Sequence, residues 1–421
     1  MRRGAYDARV RSLVRRIARL VWGEEVDRAL RPVLAVTLVG ATAGSTMWSF
    51  LAIWAVEELG AKAELPFAYA VGAVLAGVSG YVGGYLSDRL GRRGVILFGQ
   101  GVMVFFPLAL LAASGTKWAG LAILAFAGVF GSLGGSVAQA MVADLVAPEK
   151  HAPAYASVRV ASNFGVVMGP PFGGVLLILG GWPALFVAVC VMSALAWLLA
   201  FRLLPRRGAY APESPPERGS FSTILADRAF LLFMGSAVFA WLVYVAYEIV
   251  LPVSLVDGYG YEAAAWGFLV WINPLLVTLF QIRLTRVTAR YPTAPVLVVA
   301  MLTMGLPFLV LVWTHSLLAV LVVVTVFVVG EMLWVPTSQA VVAHLAPEDL
   351  RGAYMGAFGS APAIGFALAP LIGLQVRNSF GDATTWAMFA GIAVVAAVLG
   401  GLACVGVARR TAAVQSAVLE S

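Results

Sequence analysis

Between residues 32 and 408 the chain is a succession of long apolar runs parted by short charged, proline or glycine breaks. An α-helix rises 1.5 Å per residue, so about 20 apolar residues cross a hydrocarbon layer of roughly 30 Å. Backbone in lipid must satisfy its hydrogen bonds internally, and runs of this length are too long for barrel strands, so they read as helices. The candidate spans are 32–56, 66–86, 95–114, 119–142, 153–179, 182–204, 229–255, 263–282, 294–314, 317–341, 352–376 and 384–408. Composition agrees: 61% of residues are hydrophobic and 12% charged, where a soluble domain carries about 25% charged residues. The expectation is an all-α integral membrane protein of twelve transmembrane helices.

Several chemistries are excluded early. Cys190 and Cys404 lie inside apolar runs, and His151, His315 and His344 are scattered near predicted helix ends, so no disulfide framework and no metal site is suggested. There is no G-x-x-x-x-G-K-[ST] phosphate loop, so energy must come from an ion gradient, with no cofactor and no nucleic-acid partner. Of the 28 Lys and Arg, 24 fall on the side that carries both termini. The other side receives only Lys62, Lys117 and Arg377, while Arg159 sits inside a span. The positive-inside rule then places both termini in the cytoplasm, with the protein multi-pass in the inner or plasma membrane.

The first 31 residues are too long and too charged before the first apolar stretch to be a cleaved signal. Val10, Leu13, Val14, Ile17, Leu20 and Val21 recur at helical spacing among five arginines, which suits a helix lying on an anionic membrane face or a solvated leader. Pro205 to Arg228, rich in proline, glycine and serine, reads as a linker. The expected organisation is a leader (1–31), a six-helix half (32–204), the linker (205–228), a second six-helix half (229–408) and a cytoplasmic tail (409–421). An internal repeat supports it: VADLVAPEKHAPAY (Val142–Tyr155) and VVAHLAPEDLRGAY (Val341–Tyr354) share a frame at an offset of 199 residues. Nearly the same offset aligns MGPPFGG with LAPLIGL. Two parallel six-helix halves are the trace of a transporter that rocks one half against the other.

Between the second and third spans stands GYLSDRLGRR, Gly84 to Arg93. A turn obeying the topology rule would account for the charge but not for the order of residues. The stretch matches G-x-x-x-D-R-x-G-R-R, and here the chain resembles the major facilitator superfamily, a resemblance that covers nearly its whole length. The resemblance implies the pseudo-symmetric twelve-helix fold and a conformational latch formed by Gly84, Asp88, Arg89, Gly91, Arg92 and Arg93, engaging the neighbouring half. The second half carries a degenerate copy, RLTRVTARY (Arg283–Tyr291), in which Arg286 stands for Asp88 and Ala289 for Gly91. In the fifth span, GVVMGPPFGG resembles the motif of the antiporter branches. On that resemblance Gly165, Gly169, Pro170, Gly173 and Gly174 shape the seam between halves, and efflux is favoured over uptake. The fourth-span Arg that precedes a Q-G pair in the family is absent: GVFGSLGGSVAQAM keeps Gln139 and glycines only.

Ionisable residues inside spans are costly, about 2.5–3.5 kcal/mol for a charge at a helix centre, and are functional candidates. Glu331 lies near the middle of the tenth span, five residues before Pro336. It reads as a carboxylate that loads and releases a proton, or as a structural Glu hydrogen-bonded to a neighbour. Glu248 shares a helical face with Trp241 and Tyr244, a stripe suited to organic cations or to interfacial anchoring. Asp144, at the cytoplasmic end of the fourth span, is a proton entry point or a solvated helix-end acid. Arg159, with Asn163 one turn on, pairs with an acid such as Asp144 or snorkels. Asn273 beside Pro274 faces carbonyls that a cavity can hydrate, and Trp334 is a further candidate for cavity lining.

With GEMLWVP and APEDLRGAYMG, these features resemble the multidrug proton-antiporter branch of the superfamily. The implied activity is export of lipophilic, cationic small molecules in exchange for protons, by a protein that is not an enzyme and works as a monomer in the bilayer. The competing readings are a symporter or facilitator for one metabolite or amphiphile, and a membrane binding or signalling protein on the same scaffold.

Overall fold

The computed structural model describes residues 28–147, 151–206, 226–347 and 351–419. Most of the leader and of the linker lies outside them. The described residues are helical over most of every predicted span, with short breaks such as those at 49–50 and 359–360. In the first half they form α1 (Arg31–Trp48), α2 (Leu51–Glu57), α3 (Leu65–Leu90), α4 (Arg92–Ala112), α5 (Lys117–Leu145) and α6 (His151–Leu203). The second half comprises α7 (Arg228–Val245), α8 (Ala263–Val270), α9 (Ile272–Thr288), α10 (Thr293–Gly305), α11 (Leu317–Leu345), α12 (Arg351–Phe358) and α13 (Ala361–Leu419).

Eight of these helical stretches are long and apolar enough to cross a membrane. Two of the eight bend sharply where the sequence predicts a break. In α6 the backbone turns at Gly180 and Gly181, the latter at φ +62°, and in α13 it turns at Gly381, at φ +84°. A side chain would strain the positive-φ positions, and Gly has none. Helices α3 and α5 are 26 and 29 residues long, with apolar stretches over Leu65–Ser79 and Lys117–Phe130. The last helix runs on to Leu419, through the stretch expected to be a tail, because nothing after Arg410 breaks a helix.

The repeat is sharper in three dimensions than in the sequence. Helix α6 packs along α1 in the first half, and α13 packs along α7 in the second. A Cβ added at Gly165 would stand 2.7 Å from the Leu38 carbonyl and 2.8 Å from Ala41. Two hundred residues later, one added at Gly365 would stand 2.7 Å from Trp241. Gly173 abuts Phe50, and Gly373 abuts Val250. Small residues that let backbones approach hold membrane helices together where no hydrophobic gain is available.

The halves join at one end. There a continuous buried core takes Phe50, Trp54, Leu124 and Phe186 from the first half and Tyr247, Trp266 and Phe327 from the second. At the opposite end the first half has its own cluster, built on Leu30, Val95, Met141 and Leu204. Large apolar side chains also face outward: Trp118, Leu179, Trp313 and Phe380 are each more than 70% exposed at the joined end. That placement matches an aromatic belt at a membrane interface.

Candidate functional site

Two acids of the second half are brought together near the middle of the molecule. Glu331 lies on α11, half-buried, and accepts a hydrogen bond from Asn273 Nδ2 of α9 at 2.5 Å. Glu248 sits in a wider, π-helical turn, Ala246–Val250, which continues α7. There the Leu251 N–H donates to the Ala246 carbonyl, five residues back. Pro252 explains the irregularity, since it has no N–H for the Glu248 carbonyl four residues before it. Turns of this kind are rare and gather at functional sites. Tyr244 faces Glu248 within hydrogen-bonding reach. Neither Glu248 nor Glu331 forms an ion pair among the described residues.

An aromatic box surrounds these acids. The Trp241 ring lies 4.8 Å from Tyr244 and 5.4 Å from Trp334, both edge to face, and Tyr247 stacks on Phe327 at 4.3 Å. Trp334 is fully buried, so it backs Trp241 and does not line an open space. Its indole N–H, those of Trp241 and Trp266, and the Tyr247 hydroxyl find no hydrogen-bond acceptor among the described residues. Unpaired donors this deep are uncommon.

A residue that sequence reasoning missed holds Glu331 in place. Pro336 lies inside α11, so the Met332 carbonyl lacks its usual donor four residues on. Gln281 Nε2, on α9, fills the vacancy at 2.9 Å. Helix α9 therefore grips α11 twice, at the Glu331 carboxylate through Asn273 and at the adjacent carbonyl through Gln281. Side chains lean toward the helix N-terminus while carbonyls point toward the C-terminus, which explains how neighbouring residues meet donors eight positions apart. The signal was in the sequence: a glutamine in one span and a proline just past an acid in another.

The remaining expected residues fall elsewhere. Gly91, at φ +85°, makes the turn between α3 and α4. Arg92 Nε pairs with Asp144 at 3.2 Å and its Nη1 donates to Ser87 at 2.6 Å. Arg93 Nη2 donates to the Phe201 carbonyl at 2.5 Å. These bonds stay inside the first half, because α4 opens directly beside the ends of α5 and α6. The side chains of Gly84, Asp88 and Arg89 lie outside the described residues. Asp144 is thus engaged by Arg92, and Arg159 and Asn163 are exposed on α6. Within the seam motif, Gly165, Gly169 and Gly173 pack on α1 and Phe50 of their own half, because three glycines at i, i+4 and i+8 share one face. Pro170 and Gly174 meet the other half: a Cβ at Gly267 of α8 would stand 2.6 Å from the Pro170 carbonyl, and one at Gly174 3.2 Å from the Ala264 carbonyl.

An ion-pair cluster at the joined end was also missed. Arg377 binds Asp257 at 2.9 Å and Asp382 at 2.8 Å and donates to Ser254 at 3.1 Å. Lys62 of the first half pairs with Asp257, and its carbonyl accepts from Asn378 at 2.7 Å. The only hint had been that Lys62 and Arg377 are two of three bases on the sparsely charged side.

Helix pairs from two pseudo-symmetric halves, locked at one end, with unpaired acids in the middle, define a membrane transport protein and not an enzyme. The sequence matches the family model of the Major Facilitator Superfamily over residues 33–370 and again over 267–417, and the chain belongs to that superfamily. It is 28% identical to a Na(+), Li(+), K(+)/H(+) antiporter of Planococcus maritimus, over 86% of this chain and 93% of the relative. It is 26% identical to the multidrug resistance protein MdtH of Klebsiella pneumoniae (strain 342), over 68% and 72%. Among solved structures, a mutant form of the nucleoside transporter NupG superposes with a TM-score of 0.75 at 13% identity, covering 89% of this chain and all of that one. A POT family transporter in complex with 5-aminolevulinic acid gives 0.73 at 15% identity, covering 88% and 95%; both likenesses concern the fold.

Proposed function

We propose that this chain is a proton-coupled antiporter that exports lipophilic, cationic small molecules by alternating access, with twelve crossings and both termini on the cytoplasmic side of the cell membrane. The observation that carries the reading is Glu331, a mid-span carboxylate bonded to Asn273 and without a cationic partner among the described residues. A carboxylate so placed binds either a proton or a cationic substrate, and competition for one charge is what couples an exchange. Glu248, flanked by Tyr244 and Trp241, adds a second negative charge and π faces for an organic cation. Asp144, held by Arg92, serves proton transfer at the far end of the first half, and the Gly84 to Arg93 loop acts as the latch there. Arg159 and Asn163 contribute to the cavity from α6. Pro170 and Gly174 form the seam with α8, and the glycines at 165, 169 and 173 support it from behind. The multidrug name of the MdtH relative favours this substrate class.

A second reading, exchange of an alkali cation for protons, is favoured by the name of the Planococcus maritimus relative and by the oxygen-rich set of Glu331, Glu248 and Asn273. One experiment separates them. In proteoliposomes with an imposed pH gradient, native protein should move a fluorescent cationic dye, and Glu331→Gln should bind the dye but fail to accumulate it. Gradient-driven Na+ movement with no dye movement would select the second reading. Unchanged dye accumulation by Glu331→Gln would defeat the assignment of coupling to Glu331.

A further inference from the structure

The first half contains an open cavity of about 480 Å³, within the range of small-molecule sites, lined by α1, α4, α5 and α6. It lies inside one six-helix half, apart from the Glu331 site. Its α1 wall includes Gly40, Ala41, Gly44 and Trp48. Gly40 and Gly44 differ from the glycines of α6, which sit against backbone. A Cβ added at Gly40 would meet nothing within 4 Å, and one at Gly44 would meet only the Trp48 side chain, at 3.6 Å. Glycine is a poorer helix former than alanine, so two that make no close approach need another reason.

The second half supplies the comparison. Two hundred residues on from Ala41, Gly44 and Met47 stand Trp241, Tyr244 and Tyr247, whose rings pack on one another along the helix. The first half therefore lacks, at the same positions, three large aromatic side chains. The cavity keeps aromatic walls, Trp48 and Phe130, and it holds a polar group without a partner. Gln100 lines it, and among the described residues the buried Gln100 Oε1 meets no hydrogen-bond donor. An acceptor left this way is costly, and a ligand donor would recover that cost.

We infer that this cavity is a second binding site, which takes a planar aromatic molecule bearing an N–H or O–H donor, stacked near Trp48 with its donor on Gln100. The inference deepens the proposed function by giving the apolar body of an exported compound a place in the first half. The observations favour a flat ring system over a lipid chain because the pseudo-symmetric occupants are themselves rings.

The test is equilibrium binding of ethidium, a planar cation with N–H donors, to full-length protein in nanodiscs with no gradient imposed. Gly44→Tyr, a copy of the second half, should weaken ethidium binding at least tenfold, and Gln100→Leu several-fold, while the thermal transition stays at or above that of the native protein. Should Gly44→Tyr fold poorly, Gly40→Leu fills the same space from the preceding turn. Binding that ignores all three variants would overturn the inference. So would loss of a co-purifying phospholipid from Gly44→Tyr, seen by native mass spectrometry, with ethidium binding unchanged. Because no proton moves in this assay, its result is independent of whether Glu331 couples transport: failure of Glu331→Gln to lose coupling would leave the cavity standing, and the reverse holds.

Discussion

Helices α1 and α7 occupy equivalent places in the two halves and have been given opposite jobs. Along α1 the inward positions are Ala41, Gly44, Met47 and Trp48; along α7 and its extension they are Trp241, Tyr244, Tyr247 and Glu248. The first set leaves a cavity and the second fills it with rings around an acid. Helices α5 and α11, each 29 residues long, repeat the contrast: Gly131 stands where Glu331 does, and Asp144 where His344 does. The first half puts its acid at the helix end, paired with Arg92, whereas the second puts Glu331 mid-span and Glu248 nearer the joined end, neither in an ion pair among the described residues. One backbone plan thus carries a half with an open cavity and a half with acids set among rings, because side-chain size and polarity vary while the glycine contacts that fix helix spacing do not.

The largest expected effect falls on what locks the halves together. Arg377→Gln leaves the partly buried Asp257 and Asp382 without their guanidinium, with Lys62 still beside Asp257, a loss of up to about 3 kcal/mol. It should shift the protein toward states open at that end, raising labelling of a cysteine placed at Asn378. Unchanged labelling would mean that the apolar core alone closes that end.

Next come the glycine contacts. Gly165→Ala and Gly365→Ala should each destabilise by about 1–3 kcal/mol, because both new methyls meet backbone. Gly40→Ala should be neutral or stabilising by up to about 1 kcal/mol, since its methyl enters open space. Thermal unfolding in detergent measures all three. A destabilising Gly40→Ala would break the contrast between packing glycines and cavity glycines.

Removing the Gln281 grip is smaller. Gln281→Leu orphans the Met332 carbonyl, at about 1–3 kcal/mol, and should lower gradient-driven transport more than substrate counterflow, which needs no net proton movement. Pro336→Ala restores an N–H to that carbonyl and should rescue Gln281→Leu. A double variant as impaired as the single would show that the glutamine does something other than replace the missing amide.

The smallest effect lies at the exposed pair of Lys117 and Glu64. The hydrogen bond from Lys117 holds the Glu64 carboxyl below its ordinary value. A depressed carboxyl contributes stability that is present above its unfolded value of 4.5 and lost as the pH falls through the lower, folded one. Lys117→Met should therefore change stability at neutral pH by less than about 1 kcal/mol and flatten its dependence below pH 4.5.

Much of this plan was legible in the sequence for a physical reason: lipid forces every span to be a long apolar helix, so helices, breaks at Gly180–Gly181 and Gly381, and the mid-span acids stand out against oil. Gly91, named only through the family motif, proves to make the tight turn between two helices, at φ +85°. What could not be read depends on partners distant in sequence. Whether Arg92 finds Asp144, or Gln281 finds the carbonyl freed by Pro336, is decided by helix rotation, which a nearly uniform apolar surface leaves unmarked. The cavity was hidden for the same reason, since Gly40 and Gly44 look like any small-residue face until their neighbours are known.

The most direct test of the division between the halves is proton release on substrate binding, followed with a pH indicator in weakly buffered detergent solution. The native protein and Asp144→Asn should both release protons when a cationic dye is added, and Glu331→Gln should release none while still binding it. Release that survives in Glu331→Gln and vanishes in Asp144→Asn would place charge exchange in the first half and contradict the account.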